Sequence, residues 1–310
     1  MILTVTPNTA VDRTYTVENF RIDRINRASI SRVIAGGKGV NVARWYQELG
    51  GRALATGFVG GHHGNYIVEA LHRESISSDF VRTEGESRIC TKVMDPVQKT
   101  QTELNEVGPE ISPDEVERLR VKFESLVSGM EYVVLCGSLP PGAPDTIYRE
   151  LIEIAHHYKV PCVLDSSGAP LEQGLEAQPY MAKPNAHELS SIMDHQLGTV
   201  EEAAEAAETL VDRGIQIVAV TFGRDGAIVV TRGGAWRSRP PEIQFVSAVG
   251  SGDAFAAAFV YSLSQCGDMS EALRMGTAVG TANAMCFDAG TCTREIIAGL
   301  ADQVEVSELR

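Results

Sequence analysis

Residues 249–259, VGSGDAFAAAF, place a single acid, Asp253, directly behind a glycine-rich turn and at the mouth of an Ala- and Phe-rich run. Such a run predicts a helix, and the amides of Gly250, Ser251 and Gly252 would converge at its start as a nest for negative charge. Asp253 falls in the first helical turn, where the helix dipole favours its ionised form. Two roles are open: a first-turn acid that stabilises the helix, or the group around which a reaction is built. The Gly-Ser-Gly in front of it favours the second, because a cap needs no such turn. An anion hole beside a carboxylate suits phosphoryl transfer, with amides steadying the transferring group while the acid aims the attacking hydroxyl. The dipole should lower the pKa of Asp253 and weaken it as a base, which a loose transition state with late proton loss tolerates.

Further motifs carry polar groups at turns. In AGGKGVNVARWYQELGG (35–51), Gly36, Gly37 and Gly39 let the backbone approach a ligand, Lys38 adds a point charge, and Asn41 can bind hydroxyls. Walker A spacing and the GxGxxG fingerprint are both absent, so neither a P-loop nor a dinucleotide site is indicated. KPNAHEL (183–189) could set Glu188 near a magnesium ion through water, yet Asn185 and Glu188 equally form a capping box, as do Ser112–Glu115 and Thr199–Glu202. TFGRDGA (221–227) reads as a hairpin turn where a nucleotide phosphate could rest on Thr221 and the Gly223 amide. Ser138 in GSLPPG and Asp12 follow predicted strands, at the edge of an open α/β sheet where ligands sit, or they are turn residues.

The elements that must position these residues alternate along the chain. ILTVT, ALATGFV, EYVVLCG, VPCVLDSS, PYMAKPN and QIVAVTFG are short apolar runs ended by Gly, Pro or Asn, as buried strands are. Helix-compatible stretches at 38–49, 113–128, 144–159 and 199–213 lie between them, and the last third is Ala-rich and helical. This alternation predicts a mostly parallel sheet covered on both faces, in one main domain spanning 1–310. Residues 11–34 and 86–106 are polar and β-leaning, and fit a small antiparallel sheet standing off that domain as a lid or association surface.

The 44% hydrophobic and 22% charged residues are those of an ordinary globular protein. A net charge of −14 argues against nucleic acid or an anionic membrane as partner, while leaving room for a small anion held by local Arg and Lys. The N-terminus has no basic n-region, and no apolar stretch approaches membrane-span length, so a cytoplasmic location is expected. The six cysteines lack CxxC spacing and read as buried thiols of a reducing compartment. His62 and His63, between glycines, read as a solvated loop.

Together, AGGKGVNVAR and VGSGDAFAAAF resemble the two signatures of the ribokinase-like (phosphofructokinase B) carbohydrate kinases. GSLPPG, VLDSSG, KPNAHELS and TFGRDGA follow in the matching order, so the likeness covers essentially the whole chain. VTPNTAVD, SRIC and GSLPPG look most like the branch of 1-phosphofructokinase and tagatose-6-phosphate kinase. The resemblance implies a three-layer α/β/α sandwich with a protruding β lid, using ATP and Mg²⁺. It implies Asp253 as catalytic acid with Gly250, Ser251 and Gly252 as its anion hole. Asp12, Gly36, Gly37, Lys38, Asn41, Arg88 and Ser138 would hold the sugar phosphate. Lys183, Asn185, Thr221, Gly223, Gly226 and Asn283 would line the nucleotide side, with Glu188 toward the metal. One departure is SAVGSGD, where much of the family has Asn and then Pro or Thr before the glycines, which leaves the wall at Ser247 and Ala248 open.

A phosphorylated sugar is favoured over a nucleoside, because residues 81–122 contain no aromatic side chain on which a base could stack. Arg27 and Arg88, in the two lid segments, could grip a phosphate, although a lone Arg is commonly just solvated. Fructose 1-phosphate leads, ahead of tagatose 6-phosphate or fructose 6-phosphate; a non-catalytic sugar-phosphate sensor is the rival of a different class. The lid segments, with apolar residues such as Val17, Phe20, Ile22, Ile25, Ile89, Val93 and Leu104, are expected to pair two copies into a homodimer.

Overall fold

A computed structural model describes residues 1–286 and 292–309. The first part of the chain runs β1 (Ile2–Thr6), β2 (Ala10–Thr16), β3 (Ile30–Gly36), α1 (Lys38–Glu48), β4 (Ala53–Gly60), α2 (Gly61–Arg73), β5 (Ser77–Ser78), β6 (Val81–Thr83), β7 (Arg88–Asp95) and β8 (Thr100–Asn105). It continues as α3 (Pro113–Val127), β9 (Tyr132–Cys136), α4 (Ile147–His157), β10 (Cys162–Asp165), α5 (Gly168–Glu176), β11 (Met181–Ala182), α6 (Ala186–Ile192) and α7 (Val200–Asp212). After β12 (Ile217–Thr221) and a 3-10 turn at Gly223–Asp225 come β13 (Ala227–Thr231), β14 (Gly234–Arg239), α8 (Ser251–Cys266), α9 (Met269–Ala284), α10 (Arg294–Ala301) and β15 (Glu305–Glu308).

The main sheet has 11 strands in the order β15-β14-β13-β12-β11-β10-β9-β1-β4-β5, with β6 also on β4. Pairing is parallel from β4 through β1, β9, β10 and β11 to β12, then antiparallel to β15. Both faces are buried, which is why the strands read as continuous apolar runs. Along β9, Val134 and Cys136 join the core under α1, α8 and α9, while Val133 and Leu135 join the core under α3, α4 and α7. The three layers expected from the alternation are therefore present. The parallel strands end on one edge, and that edge carries the site.

Helix α8 is apolar nearly all round and runs buried from Asp253 to Val260. Phe255 and Phe259 stack within it, centroids 5.8 Å apart, and truncating the fully buried Phe259 should cost about 3–5 kcal/mol. This rigid rod fixes where Asp253 sits.

The second sheet has four strands in the order β3-β2-β7-β8. It occupies both segments expected to stand off the main sheet, but it is mixed, not wholly antiparallel, because β2 pairs parallel with β7. One expectation failed outright. His62 and His63 lie in the first turn of α2, so GGHHG is a helix start and not a loop. Helix propensity is poor there, and the packing of Ile67, Ala70 and Leu71 into the core overrides it. Among the described residues, no helix is long and apolar enough to cross a membrane.

Candidate active site

Helix α8 begins at Gly250, whose φ of 80° is the left-handed conformation glycine adopts without a Cβ penalty. No side chain caps the helix. Asp253 sits at the third helical position, yet its carboxylate turns away from the helix end and accepts a hydrogen bond from Asn41 Nδ2 at 2.9 Å. The capping role is thereby excluded. The amides without a partner at this turn differ in one member from those expected to form an anion hole. The Ser251 amide donates to the Ala248 carbonyl at 3.1 Å, and Ser251 Oγ accepts from Asn283 Nδ2 at 3.2 Å. At the start of α8, the amides left without an acceptor among the described residues are those of Gly250, Gly252 and Asp253 itself.

Burial dominates the electrostatics of Asp253, which is 5% exposed. Desolvation pushes its pKa up to about 7; Lys38, the Asn41 hydrogen bond and Lys183 oppose this, and the negative Asp165 reinforces it. The helix dipole favours the ionised form, but burial of the carboxyl inside the protein outweighs it. A carboxylate poised near neutrality is a competent base.

Asp165, at the end of β10 in VLDSSG, is the group that sequence reading did not single out for a role. It is 1% exposed and sits between two lysines, with Lys38 Nζ hydrogen-bonded to Oδ1 at 3.0 Å and Lys183 Nζ 3.2 Å from Oδ2. Burial alone would raise the Asp165 pKa, but Lys183 and Lys38 hold it below the usual carboxylate range. In return Asp165 pushes Lys38 well up, so this lysine keeps its charge. The available signal was an acid at the carboxyl edge of a parallel strand, the position that made Asp12 a candidate.

One cleft of about 1300 Å³ holds both ends of the site. Lys183, Asn185, Glu188, Thr221, Gly223 and Gly226 line one end. Asn185 and Glu188 form the capping box that the spacing allowed: Asn185 Oδ1 accepts the Glu188 amide and Glu188 Oε2 accepts the Asn185 amide, both at 2.8 Å. An isolated parallel bridge joins Asn185 to Thr221. Asp12, Gly37, Lys38, Asn41 and Arg88 line the other end. A Cβ on Gly36 would collide with the Asp12 carboxyl, so this glycine exists to let the acid lie flat on the strand. Burial raises the Asp12 pKa against the pull of Lys92, Arg44 and Arg88. The Arg88 guanidinium is anchored on the Glu106 and Asn8 carbonyls, at 3.2 and 3.1 Å.

Four expected contacts do not line the cleft: Gly36, which is buried and packed against the Asp12 carboxyl, and Arg27, Ser138 and Asn283. Arg27 is exposed on the loop between β2 and β3, where no element folds it back. Ser138 is exposed beyond β9; its neighbour Gly137 is what packs near Lys38. Asn283 is buried beneath the start of α8, donating to the Val249 carbonyl at 2.8 Å as well as to Ser251 Oγ and accepting from Trp45 Nε1 at 3.2 Å. It supports the turn and does not face the cleft. The wall left open by SAVGSGD is also defined: Ser247 Oγ donates to Gln101 Oε1 of β8 at 3.0 Å and accepts from the Val249 amide at 3.3 Å. Lys92, Glu103 and Asn105, not singled out from sequence, also line the cleft.

The family model for pfkB family carbohydrate kinases matches residues 4–296. The chain belongs to that family. This pfkB chain is therefore a phosphotransferase with an alcohol acceptor, and ATP is the co-substrate of such sugar kinases. It is 35% identical over 311 residues to a 1-phosphofructokinase of Bacillus subtilis, covering 100% of both chains. Among solved structures it resembles a possible 1-phosphofructokinase of Thermotoga maritima, with TM-score 0.92, 31% identity and 100% of each chain covered. It also resembles the tetrameric inhibited form of phosphofructokinase-2 from Escherichia coli, with TM-score 0.91, 27% identity, and 97% and 98% covered. The ribokinase-like fold expected from the motifs is thus the fold observed.

Proposed function

We propose that this pfkB kinase transfers the γ-phosphoryl group of ATP to a hydroxyl of fructose 1-phosphate, giving fructose 1,6-bisphosphate, in the cytoplasm. The observation that carries the chemistry is the uncapped start of α8, where a buried carboxylate lies beside unengaged amides and within the field of Lys38. Asp253 aims the attacking hydroxyl and takes its proton as the bond to phosphorus forms. The amides of Gly250, Gly252 and Asp253 receive the transferring group's charge, and Lys38 and Lys183 supply the cationic surroundings. Asp12 and Asn41 hold sugar hydroxyls, and Arg88 holds the phosphate already present. Thr221, Gly223 and Gly226 receive the nucleotide. The full-length likeness to 1-phosphofructokinases supports fructose 1-phosphate over its isomers.

The residues fit a magnesium ion shared with nucleotide phosphates, not one caged by protein. Among the described residues no group of three or more His, Cys, Asp or Glu converges, and Glu188 offers the cleft only the oxygen that its cap leaves over. Bound there, the ion would neutralise phosphate charge. ADP release from ATP with fructose 1-phosphate, tagatose 6-phosphate, fructose 6-phosphate and ribose tests the assignment. Fructose 1-phosphate should give the highest kcat/KM; another leader changes the substrate, and no turnover with any would point to a sensor.

The four-stranded sheet serves as lid and as the dimer surface. Val17 is buried within the chain and Ile89 packs on its core, so the face available to a partner is narrower than the sequence suggested. Ile22 and Ile25, on the loop between β2 and β3, and Leu104 of β8 remain 89%, 84% and 66% exposed, apolar side chains that a second copy would cover. Sedimentation should show a dimer for the natural chain and a monomer for Ile22→Asp/Leu104→Asp; a monomeric natural chain ends the proposal.

A further inference from the structure

Arg44 stands one turn beyond Asn41 on α1 and is only 8% exposed. Its guanidinium is engaged on every side. Nη1 donates to Asn41 Oδ1 at 3.1 Å, and Nη2 to the Ala35 carbonyl at 2.8 Å and to Glu74 Oε1 at 3.3 Å. Nε donates to Glu74 Oε2 at 2.7 Å. Asn41 then donates through Nδ2 to Asp253 Oδ2. A continuous chain of hydrogen bonds therefore runs from Glu74, at the end of α2, to the carboxylate at the start of α8.

The chemistry of the amide gives this chain a direction. An Asn side chain can be turned over, presenting either its oxygen or its NH₂ to a neighbour. Toward a carboxylate the two faces are opposites, since NH₂ donates and oxygen repels. Arginine has donors and no acceptor, so it tolerates only the oxygen. With Arg44 fixed on one side, Asn41 must offer its NH₂ to Asp253.

We propose that Arg44, held by Glu74, is a positioning residue for phosphoryl transfer: it locks the Asn41 amide with an N–H on Asp253 and so keeps that carboxylate ionised and aimed. This rests on Asp253 being the base. The groups facing Asp253 are Lys38 and Lys183, which favour its charge, Asp165, which opposes it, and Asn41. Only the Asn41 contribution depends on Arg44. Releasing the lock therefore raises the pKa of Asp253, and the acidic limb of kcat/KM moves to higher pH.

Arg44→Lys keeps the charge that Asp12 also feels, but an ammonium cannot serve three partners in a planar fork. For this variant kcat should fall about tenfold, KM for either substrate should stay within about twofold, and the acidic limb should move up by about half a pH unit or more. In an Asn41→Ala background the same substitution should change kcat by less than about twofold, because the route through the amide is already cut. Glu74→Gln, at a side chain 32% exposed, should show a smaller shift of the same limb and decides the matter if Arg44→Lys does not fold. An unmoved limb in the folded variants, or losses from Arg44→Lys and Asn41→Ala that multiply, would make Arg44 a structural strut and overturn the proposal. If Asp253→Asn retains turnover, the role of Asp253 fails first; if that variant is inactive while the limb stays put in Arg44→Lys, the lock alone fails.

Discussion

Helices α6 and α8 both meet the cleft with their N-termini, and they are built on opposite rules. In α6 the third-position acid, Glu188, reaches back to the amide of Asn185, and Asn185 returns the bond, so the end is closed. In α8 the acid at the same position, Asp253, ignores its helix end and bonds to Asn41, so the end is open. A missing cap forgoes about 1 kcal/mol of helix stability. The difference teaches that an uncapped helix start facing a cleft has its amides available for a ligand, while a capped one presents side-chain atoms only.

That contrast can be broken at either helix. The largest effect is expected from Asp253→Asn, which should lower kcat by about 10²-fold or more while leaving KM for both substrates nearly unchanged, as loss of a positioned base does. Near-normal steady-state turnover would return Asp253 to a structural role.

A methyl group at the open end should act next most strongly. The Cβ of Gly252→Ala would stand 3.4 Å from Lys183 Nζ, inside the space the transferring group needs. Turnover should fall about tenfold, while thermal stability holds or rises, since Ala is better than Gly in a helix by up to about 1 kcal/mol. A variant that is both more stable and fully active would show that the amides are not used.

The smallest effect belongs to the closed end. Glu188→Gln preserves the capping box, because Gln accepts the same amide bond. Melting temperature should therefore stay within about 2 °C, while the magnesium concentration for half-maximal rate rises a few-fold, in line with removal of one carboxylate from a shared site. A lower melting temperature with an unchanged magnesium requirement would make Glu188 a cap and nothing more.

Motifs at turns were legible because glycine, proline and helix-start chemistry are local. Strands β1, β4, β9, β10, β11 and β12 of the main sheet and helices α1, α3, α4 and α7 fall where the apolar runs and periodicity put them, and both lid segments contain sheet, whereas β5, β6, β14 and β15 were not read from sequence. What escaped depends on packing between distant segments. Nothing near Asn283 in sequence shows that it supports Ser251 from below. Nor could VLDSSG reveal that Asp165 would lie between Lys38 and Lys183. The dipole at Asp253 was correctly placed, but its rival, burial, is a property of the whole fold. Helix α2 was missed because its start is GGHHG, where core contacts outweigh propensity.

If Asp253 is a buried base poised near neutrality, its own carboxyl will report it. A rate profile alone mixes in substrate phosphates, whose second ionisation lies near pH 6. A carbon-13 titration of the free protein avoids that, with the Asp253 carboxyl assigned by its disappearance in Asp253→Asn. Its midpoint should lie near the value of about 7 to which burial pushes it, with Asp165 still ionised well below that pH. A midpoint near 4, the ordinary carboxylate value, would contradict the claim.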